Sequence, residues 1–127
     1  MGNEYVEEVI AKLSDNPTNQ DLEFFIEAYA RVGYLVGVAQ GMASRSELQR
    51  KHAYASAYAA ARANGAKSAT DADAAATIAV RDFAEQEVTA NERYFKLRNL
   101  LAAIEQAING IKYLGRSTDV NIPGMRR

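Results

Sequence analysis

The sequence predicts an all-α protein, a long antiparallel and coiled-coil-like helical hairpin preceded by a short N-terminal helix. Its two prolines, Pro17 and Pro123, lie near the ends, so about one hundred residues run without a proline to break a helix. On both sides of a central turn, apolar residues recur alternately three and four positions apart, the spacing of a helix packed against a helix. A chain of 127 residues is long enough for one domain with a modest core.

The first predicted element is a short amphipathic helix over about residues 4–14. Its apolar residues recur at three- and four-residue intervals and are Tyr5, Val6, Val9, Ile10 and Leu13. The following segment, "SDNPTNQD", is a loop with capping residues. Thr18 or Asn19 is suited to be the N-cap of the next helix, and Asp21 then lies in its first turn.

The first long arm is predicted over about residues 19–64. Its apolar seam consists of Leu22, Phe25, Tyr29, Val32, Val36, Ala39 and Ala43. Ser44 could cap a new helix, so the pattern leaves open whether the arm is continuous between Gly41 and Ser46. Asn64-Gly65 is a C-terminal signal, because glycine adopts the left-handed conformation freely.

The second long arm is predicted as one helix over about residues 71–114, with Thr70 as N-cap and Gly115 at its end. Residues 115–127 are expected to be irregular. The seam of this arm keeps its spacing throughout and consists of Ala76, Val80, Phe83, Glu87, Ala90, Tyr94, Leu97, Leu101, Ile104, Ile108 and Ile111.

A short turn between two long helices folds them back antiparallel. Such a hairpin leaves one flank of both arms uncovered, and the N-terminal helix or another subunit is expected to cover it. The simplest expectation is a homodimer that forms a four-helix bundle.

Three glycines lie four residues apart in the first arm, at Gly33, Gly37 and Gly41. Each costs a helix interior roughly 0.5–1 kcal/mol relative to alanine, so a packing reason is expected. A turn centred near Lys67 places the three glycines opposite Leu101, Leu97 and Arg93 respectively. The stripe therefore predicts either an internal groove that receives Tyr94, Leu97 and Leu101, or a close crossing at a subunit interface.

The same register places Arg50 close to Glu87, the two polar residues of the seam. They are expected either to form an ion pair, which would fix the register more than it adds stability, or to reach solvent separately.

The amino-acid composition argues against several classes of function. The formal net charge of −1 gives no overall attraction to nucleic acid or to an anionic membrane. The chain has no cysteine and only one histidine, His52, so we expect neither a metal site nor another cofactor. No spacing of acids, bases and nucleophiles matches a catalytic set, and the protein is not expected to be an enzyme. No secretory signal or membrane-spanning stretch is visible, which predicts a cytoplasmic protein without a membrane partner.

The later third of the chain is basic, which keeps nucleic-acid binding open as an alternative. Arginine and lysine neutralise phosphates, and neighbouring tyrosines could stack on bases. The candidate contacts are Arg93, Lys96, Arg98, Lys112, Arg116, Arg126 and Arg127.

The segment Ala66–Arg116 runs from a turn through an Ala- and Asp-rich helix start to "ERYFKLRNLLAAIEQAINGIK". It resembles the later half of small uncharacterised helical proteins that tailed bacteriophages encode in early gene clusters, often near replication and recombination genes. The resemblance implies an accessory protein that acts by binding, either aiding a recombinase or DNA intermediate or disabling a host protein. It carries over no functional residues.

Together these observations predict a non-enzymatic accessory that binds a host or phage protein through an oligomeric helical bundle, in the host cytoplasm if phage-encoded. A nucleic-acid-binding accessory and a structural or assembly component of the virion are the alternatives.

Overall fold

The protein, described here by a computed structural model, is an all-α helical hairpin in which two long helices pack against each other. The structure describes residues 2–120, with side chains described from residue 3 to residue 115. These residues form four α-helices and no strand. The helices are α1 (Gly2–Ser14), α2 (Leu22–Ala63), α3 (Ala69–Ala79) and α4 (Arg81–Val120), and one 3₁₀ turn (Asn19–Asp21) precedes α2.

The chain divides into two compact units. The terminal unit contains Met1–Val36 and Lys96–Arg127, and the central unit contains Gly37–Phe95. Both long helices contribute to both units, so each unit has its own segment of α2 and of α4.

The terminal unit has a core of large apolar side chains from three helices. The seam spacing places one face of α2 and one face of α4 inward, and α1 covers the flank that a bare hairpin would expose. Its fully or nearly buried residues are Val9, Phe25, Ala28, Val32, Leu97, Leu100, Ile104 and Ile111. The sequence predicts that either the N-terminal helix or another subunit covers the open flank of the hairpin. In this unit the N-terminal helix covers it.

The loop between α1 and α2 is held by Thr18 and Asp21. The Thr18 amide donates to the Asp21 carboxylate at 2.9 Å, and the Asp21 amide donates to the Thr18 carbonyl at 2.9 Å. This backbone hydrogen bond from Thr18, assisted by Lys12, lowers the pKa of Asp21 below its usual value. The carboxylate thus fixes the start of the first long arm.

The central unit turns between α2 and α3 at Gly65. This glycine has a φ of +103°. The Ala66 amide donates to the Ala61 carbonyl at 2.9 Å, which is the 6→1 hydrogen bond of a Schellman C-cap. The next helix begins two residues earlier than Thr70 would place it, because Ser68 is the N-cap. The Ser68 hydroxyl accepts from the Asp71 amide at 3.1 Å.

The second long arm is not the single helix that the sequence predicts. It divides at Val80, where φ is −100° and ψ is +13°, outside the α-helical region. The Val80 amide still bonds Ala76 and the Ala84 amide still bonds Val80, so the departure is confined to one residue. The β-branched residues Thr77, Ile78 and Val80 give this segment a lower helix propensity than its alanine-rich neighbours.

At two other points the helices extend further than the sequence indicates. Helix α2 passes through Gly41–Ser46 without a break, so Ser44 does not cap a new helix. Helix α4 continues past Gly115 to Val120, because one glycine costs a helix about 1 kcal/mol and does not by itself end it. Of the predicted irregular tail, 115–120 is therefore helical, and 121–127 lies outside the described residues.

None of the helices within residues 2–120 contains a stretch that is long and apolar enough to cross a lipid bilayer.

Candidate functional site

A methyl group added at any of the three glycines of α2 would fit without a clash. A Cβ added at Gly33 would lie 4.0 Å from Leu101 Cδ1, which is ordinary van der Waals contact. A Cβ at Gly41 would meet only Arg45 of the same helix, at 3.9 Å, and one at Gly37 would meet nothing within 4 Å. Alanine would therefore fit at all three positions, and both explanations of the glycines, the internal groove and the subunit interface, stay predictions.

Replacing Gly37 with alanine should raise the free energy of unfolding by roughly 0.5–1 kcal/mol. The residue is exposed, lies inside α2, and leaves open space where the methyl group would go. Alanine restricts the unfolded chain and has the higher helix propensity. Urea unfolding followed by circular dichroism measures the change.

The matched control is Gly65→Ala, because this glycine is also exposed but has a φ of +103°. Alanine is strained there, so the same methyl group should destabilise the protein. If Gly37→Ala destabilised it as well, that position would have a packing role that the described residues do not show.

Of the apolar residues predicted to enter the groove, Leu97 is 3 % exposed and belongs to the terminal unit. Leu101 is half-buried and packs against the terminal core beside Gly33. Tyr94 lies in the central unit, half-buried, with its ring centroid 5.3 Å from that of Phe95.

The two polar residues of the seam are brought together in the central unit. Arg50 Nε donates to Glu87 Oε1, with the side chains 32 % and 18 % exposed. A partly solvated pair of this kind adds little stability but disfavours other registers of α2 against α4.

A second polar contact in this unit departs from the predicted register. The Tyr54 hydroxyl donates to Asp73, seven residues from the Val80 that the register places opposite it. Because α3 is a separate helix, its residues need not continue the spacing of α4. The hydrogen bond to Asp73 raises the pKa of the Tyr54 hydroxyl, and Tyr54 also stacks on Tyr58 with ring centroids 6.1 Å apart.

The central unit buries only small side chains. Its buried apolar residues are four alanines and one valine, namely Ala39, Ala43, Ala72, Ala76 and Val80. At the same time it exposes seven large apolar residues by at least a third of their surface, which are Val38, Met42, Leu48, Ile78, Phe83, Val88 and Phe95. Large apolar side chains of this unit thus lie outside its core.

Two of these exposed residues form a pair that the seam pattern does not include. Val88 and Phe95 are seven residues apart on α4, so they lie on one side of the helix, and they are 56 % and 50 % exposed. We call Val88 and Phe95 the apolar stripe. In the sequence, Val88 and Phe95 are two apolar residues seven positions apart, each one position after a residue of the seam. This spacing is the signal by which the stripe could have been found.

A groove lies between α2 and α4 on another side of the central unit, with a volume of about 690 Å³. Four of its lining residues come from α2 and six from α4. They are Met42, Arg45, Ser46, Gln49, Asp82, Glu85, Gln86, Thr89, Ala90 and Arg93. We refer to this set as the central groove.

The basic residues proposed for nucleic-acid contact are divided between the two units, and only some of them have described side chains. Arg93 lines the central groove, whereas Lys96, Arg98 and Lys112 are exposed residues of the terminal unit. On a helix with 100° per residue, Lys96 and Arg98 point about 160° apart. Arg116 lies in α4 without a described side chain, and Arg126 and Arg127 lie outside the described residues.

Within residues 2–120, no group of three or more histidine, cysteine, aspartate or glutamate side chains is arranged to hold a metal ion. His52 is exposed on α2.

No known protein family matches this chain, and neither the curated proteins nor the solved structures contain a significant match to it.

Proposed function

We propose that this chain is a non-enzymatic accessory protein that acts by binding another protein through its rigid helical scaffold. The observation that carries this proposal is the composition of the central unit, which buries only alanine and valine while it exposes seven large apolar side chains. Large apolar residues on a regular helix surface are typical of protein–protein interfaces, where aromatic and aliphatic anchors supply most of the affinity.

The apolar stripe is the part of this surface best suited to another protein. Val88 and Phe95 project from an uninterrupted helix, so their relative position is fixed before binding and little conformational entropy is lost. The resemblance of Ala66–Arg116 to phage early-region proteins favours a bacterial host factor, or a phage replication or recombination protein, as the partner.

An affinity capture from bacterial lysate, split into nuclease-treated and untreated halves and read by mass spectrometry, tests the proposal. We expect the wild-type chain to retain a partner protein after nuclease treatment. The double variant Val88→Ser/Phe95→Ser should lose that partner, because both anchors are removed.

The matched control is Tyr113→Ser/Leu114→Ser, which removes two large side chains from the terminal unit that are more exposed than Val88 and Phe95, at 67 % and 59 %. It should retain the partner. Recovery of replication or recombination proteins only from the untreated half would instead assign nucleic acid as the ligand. If the wild type and both double variants retained the partner equally, the apolar stripe would not be its binding site.

A further inference from the structure

The sequence contains two Asn-Gly pairs, Asn64-Gly65 and Asn109-Gly110, and the structure places them in different backbone environments. All four residues are exposed. The first pair forms the turn that follows α2, whereas the second lies inside α4, which continues to Val120. The two pairs therefore share their access to water, and the conformation of the backbone is what distinguishes them.

An asparagine that precedes glycine is especially prone to lose ammonia in water. Glycine has no side chain to shield its amide nitrogen, and its backbone adopts conformations that other residues avoid. A base takes the proton from the glycine nitrogen, whose electron pair attacks Cγ of the asparagine. An N–Cγ bond forms and the Cγ–Nδ2 bond breaks. Nδ2 leaves as ammonia after it has taken a proton from water.

Water then opens the cyclic imide that this step produces. Addition of water to the side-chain carbonyl breaks the new N–Cγ bond and yields aspartate. Addition to the backbone carbonyl breaks the original peptide bond instead and yields isoaspartate. In both cases the glycine nitrogen recovers a proton, so the net reaction converts asparagine and water into an acidic residue and ammonia without any oxidation.

The backbone conformation decides whether this reaction is possible in a folded protein. The asparagine backbone has to rotate until Cγ approaches the following nitrogen to about 3–3.5 Å. In a regular α-helix the following amides donate to carbonyls four residues back, so this rotation breaks their hydrogen bonds. The rate therefore depends on how easily the chain opens at each pair.

At the end of α2 this opening is a small change. The Gly65 amide donates to the Arg62 carbonyl at 3.4 Å, which is longer than the usual range, and the Ala66 amide donates to the Ala61 carbonyl at 2.9 Å. The next helix begins only at Ala69, so breaking these two hydrogen bonds unwinds no other turn. Helix ends of this kind open at a low cost in free energy.

Inside α4 the same rotation is a large change. In a regular helix the Gly110 amide donates to the Gln106 carbonyl, and α4 is helical on both sides of this pair. The next residue, Ile111, is 3 % exposed and belongs to the core of the terminal unit. Rotation at Asn109 would therefore interrupt a helix and displace a buried side chain, which requires a much rarer opening.

We propose that Asn64 is a site of spontaneous deamidation in the folded protein, with Gly65 as the nucleophile and water as the co-reactant, and that α4 protects Asn109. The product adds a carboxylate at the C-terminal end of α2, where the helix dipole disfavours negative charge. Isoaspartate also lengthens the backbone by one carbon atom, so the hydrogen bonds of Gly65 and Ala66 lose their geometry. The turn between α2 and α3 thus loosens as the protein ages, whether or not a partner is bound.

Incubation of the full chain in heavy-oxygen water at mildly alkaline pH, followed by tryptic digestion in ordinary water, tests this assignment. Heavy oxygen marks the carboxylates that form during the incubation and leaves those that form during digestion unmarked. The two asparagines fall in different tryptic segments, 63–67 and 99–112, so mass spectrometry measures each rate separately. Asn64 should be converted at least roughly tenfold faster than Asn109, because only the helix end opens readily.

The same incubation in guanidinium chloride is the control for the chemistry itself. The unfolded chain has no stable helix to protect either pair, so the two rates should agree to within about threefold. Equal rates in the folded protein would overturn the inference. So would an Asn64 that stays unconverted in the folded protein while the unfolded chain reacts.

Two matched variants confirm which asparagine is modified. Asn64→Gln should abolish the acidic form that ion-exchange chromatography separates from the wild type, because glutamine would have to close a larger ring and does so much more slowly. Asn109→Gln lengthens an equally exposed side chain by the same methylene group and should form the acidic species at the wild-type rate. Formation at that rate in Asn64→Gln, or its loss in Asn109→Gln, would assign the modification to another residue and overturn the inference.

Discussion

Replacing Phe25 with alanine should lower the free energy of unfolding by about 3–5 kcal/mol. Phe25 is fully buried and is the largest such side chain in the described residues, where it contacts the ring of Phe24 edge-to-face with centroids 5.4 Å apart. Its removal forfeits the burial of the ring and leaves a cavity among residues from three helices. Urea unfolding monitored by circular dichroism measures the loss.

The cost is expected to be large because the terminal unit holds nearly all of the large buried side chains. Small domains are stable by only about 5–15 kcal/mol, so the variant should lose a major part of its stability. Phe95→Ala is the matched control, since the same atoms are removed from a residue that is 50 % exposed. Equal losses for Phe25 and Phe95 would mean that the core lies elsewhere.

The sequence predicts the long helices well because one signal is repeated many times along them. Residues at three- and four-residue spacing, such as Phe25, Val32 and Ile104, are buried in the structure. Each position adds independent information about which face of the helix packs, so exceptions such as the exposed Tyr29 and Phe83 do not change the outcome.

Helix ends and breaks are harder to predict because they depend on one or two residues. Ser68 and Thr70 are both good N-caps, and only the backbone geometry around Asp71 selects Ser68. No proline or glycine near Val80 indicates the change of backbone conformation at this residue. Residues Thr77 to Val80 differ from their neighbours only in a modest helix propensity, which packing readily overrides.

The three glycines of α2 show a second limit of prediction from the sequence. The four-residue spacing places Gly33, Gly37 and Gly41 near one another on α2, as the sequence indicates. Only a Cβ added at Gly33, however, would have an atom of the other arm within 4.0 Å. Spacing fixes the face of a helix on which residues lie, but it does not fix how closely a second helix approaches that face.

The seam pattern also does not predict the candidate binding surfaces, for a physical reason. Seam spacing identifies what packs inside the chain, whereas the apolar stripe and the central groove consist of residues left outside it. Arg45, Asp82 and Glu85 are ordinary surface charges in the sequence. They line one groove only because α2 and α4 run antiparallel in this register.

The antiparallel register itself depends on α2 being unbroken through the centre of the chain, and Ala39→Pro tests this directly. Ala39 is 2 % exposed and lies well inside the 42-residue α2. Proline there removes a helix hydrogen bond and its ring collides with the preceding turn, so the free energy of unfolding should fall by about 3 kcal/mol or more. Urea unfolding gives the total change, and hydrogen exchange of the amides around residue 39 shows where the helix opens.

Ala69→Pro is the matched control, because the same substitution at the first residue of α3 should change stability little. Proline is favoured at the first helical position, where its missing amide hydrogen would have no partner in the helix. The preceding Ser68 already has φ −138° and ψ 161°, the extended conformation that a residue before proline adopts. A small loss for Ala39→Pro would show that α2 is easily interrupted near Gly37–Gly41, and the antiparallel groove built on it would lose its rigid support.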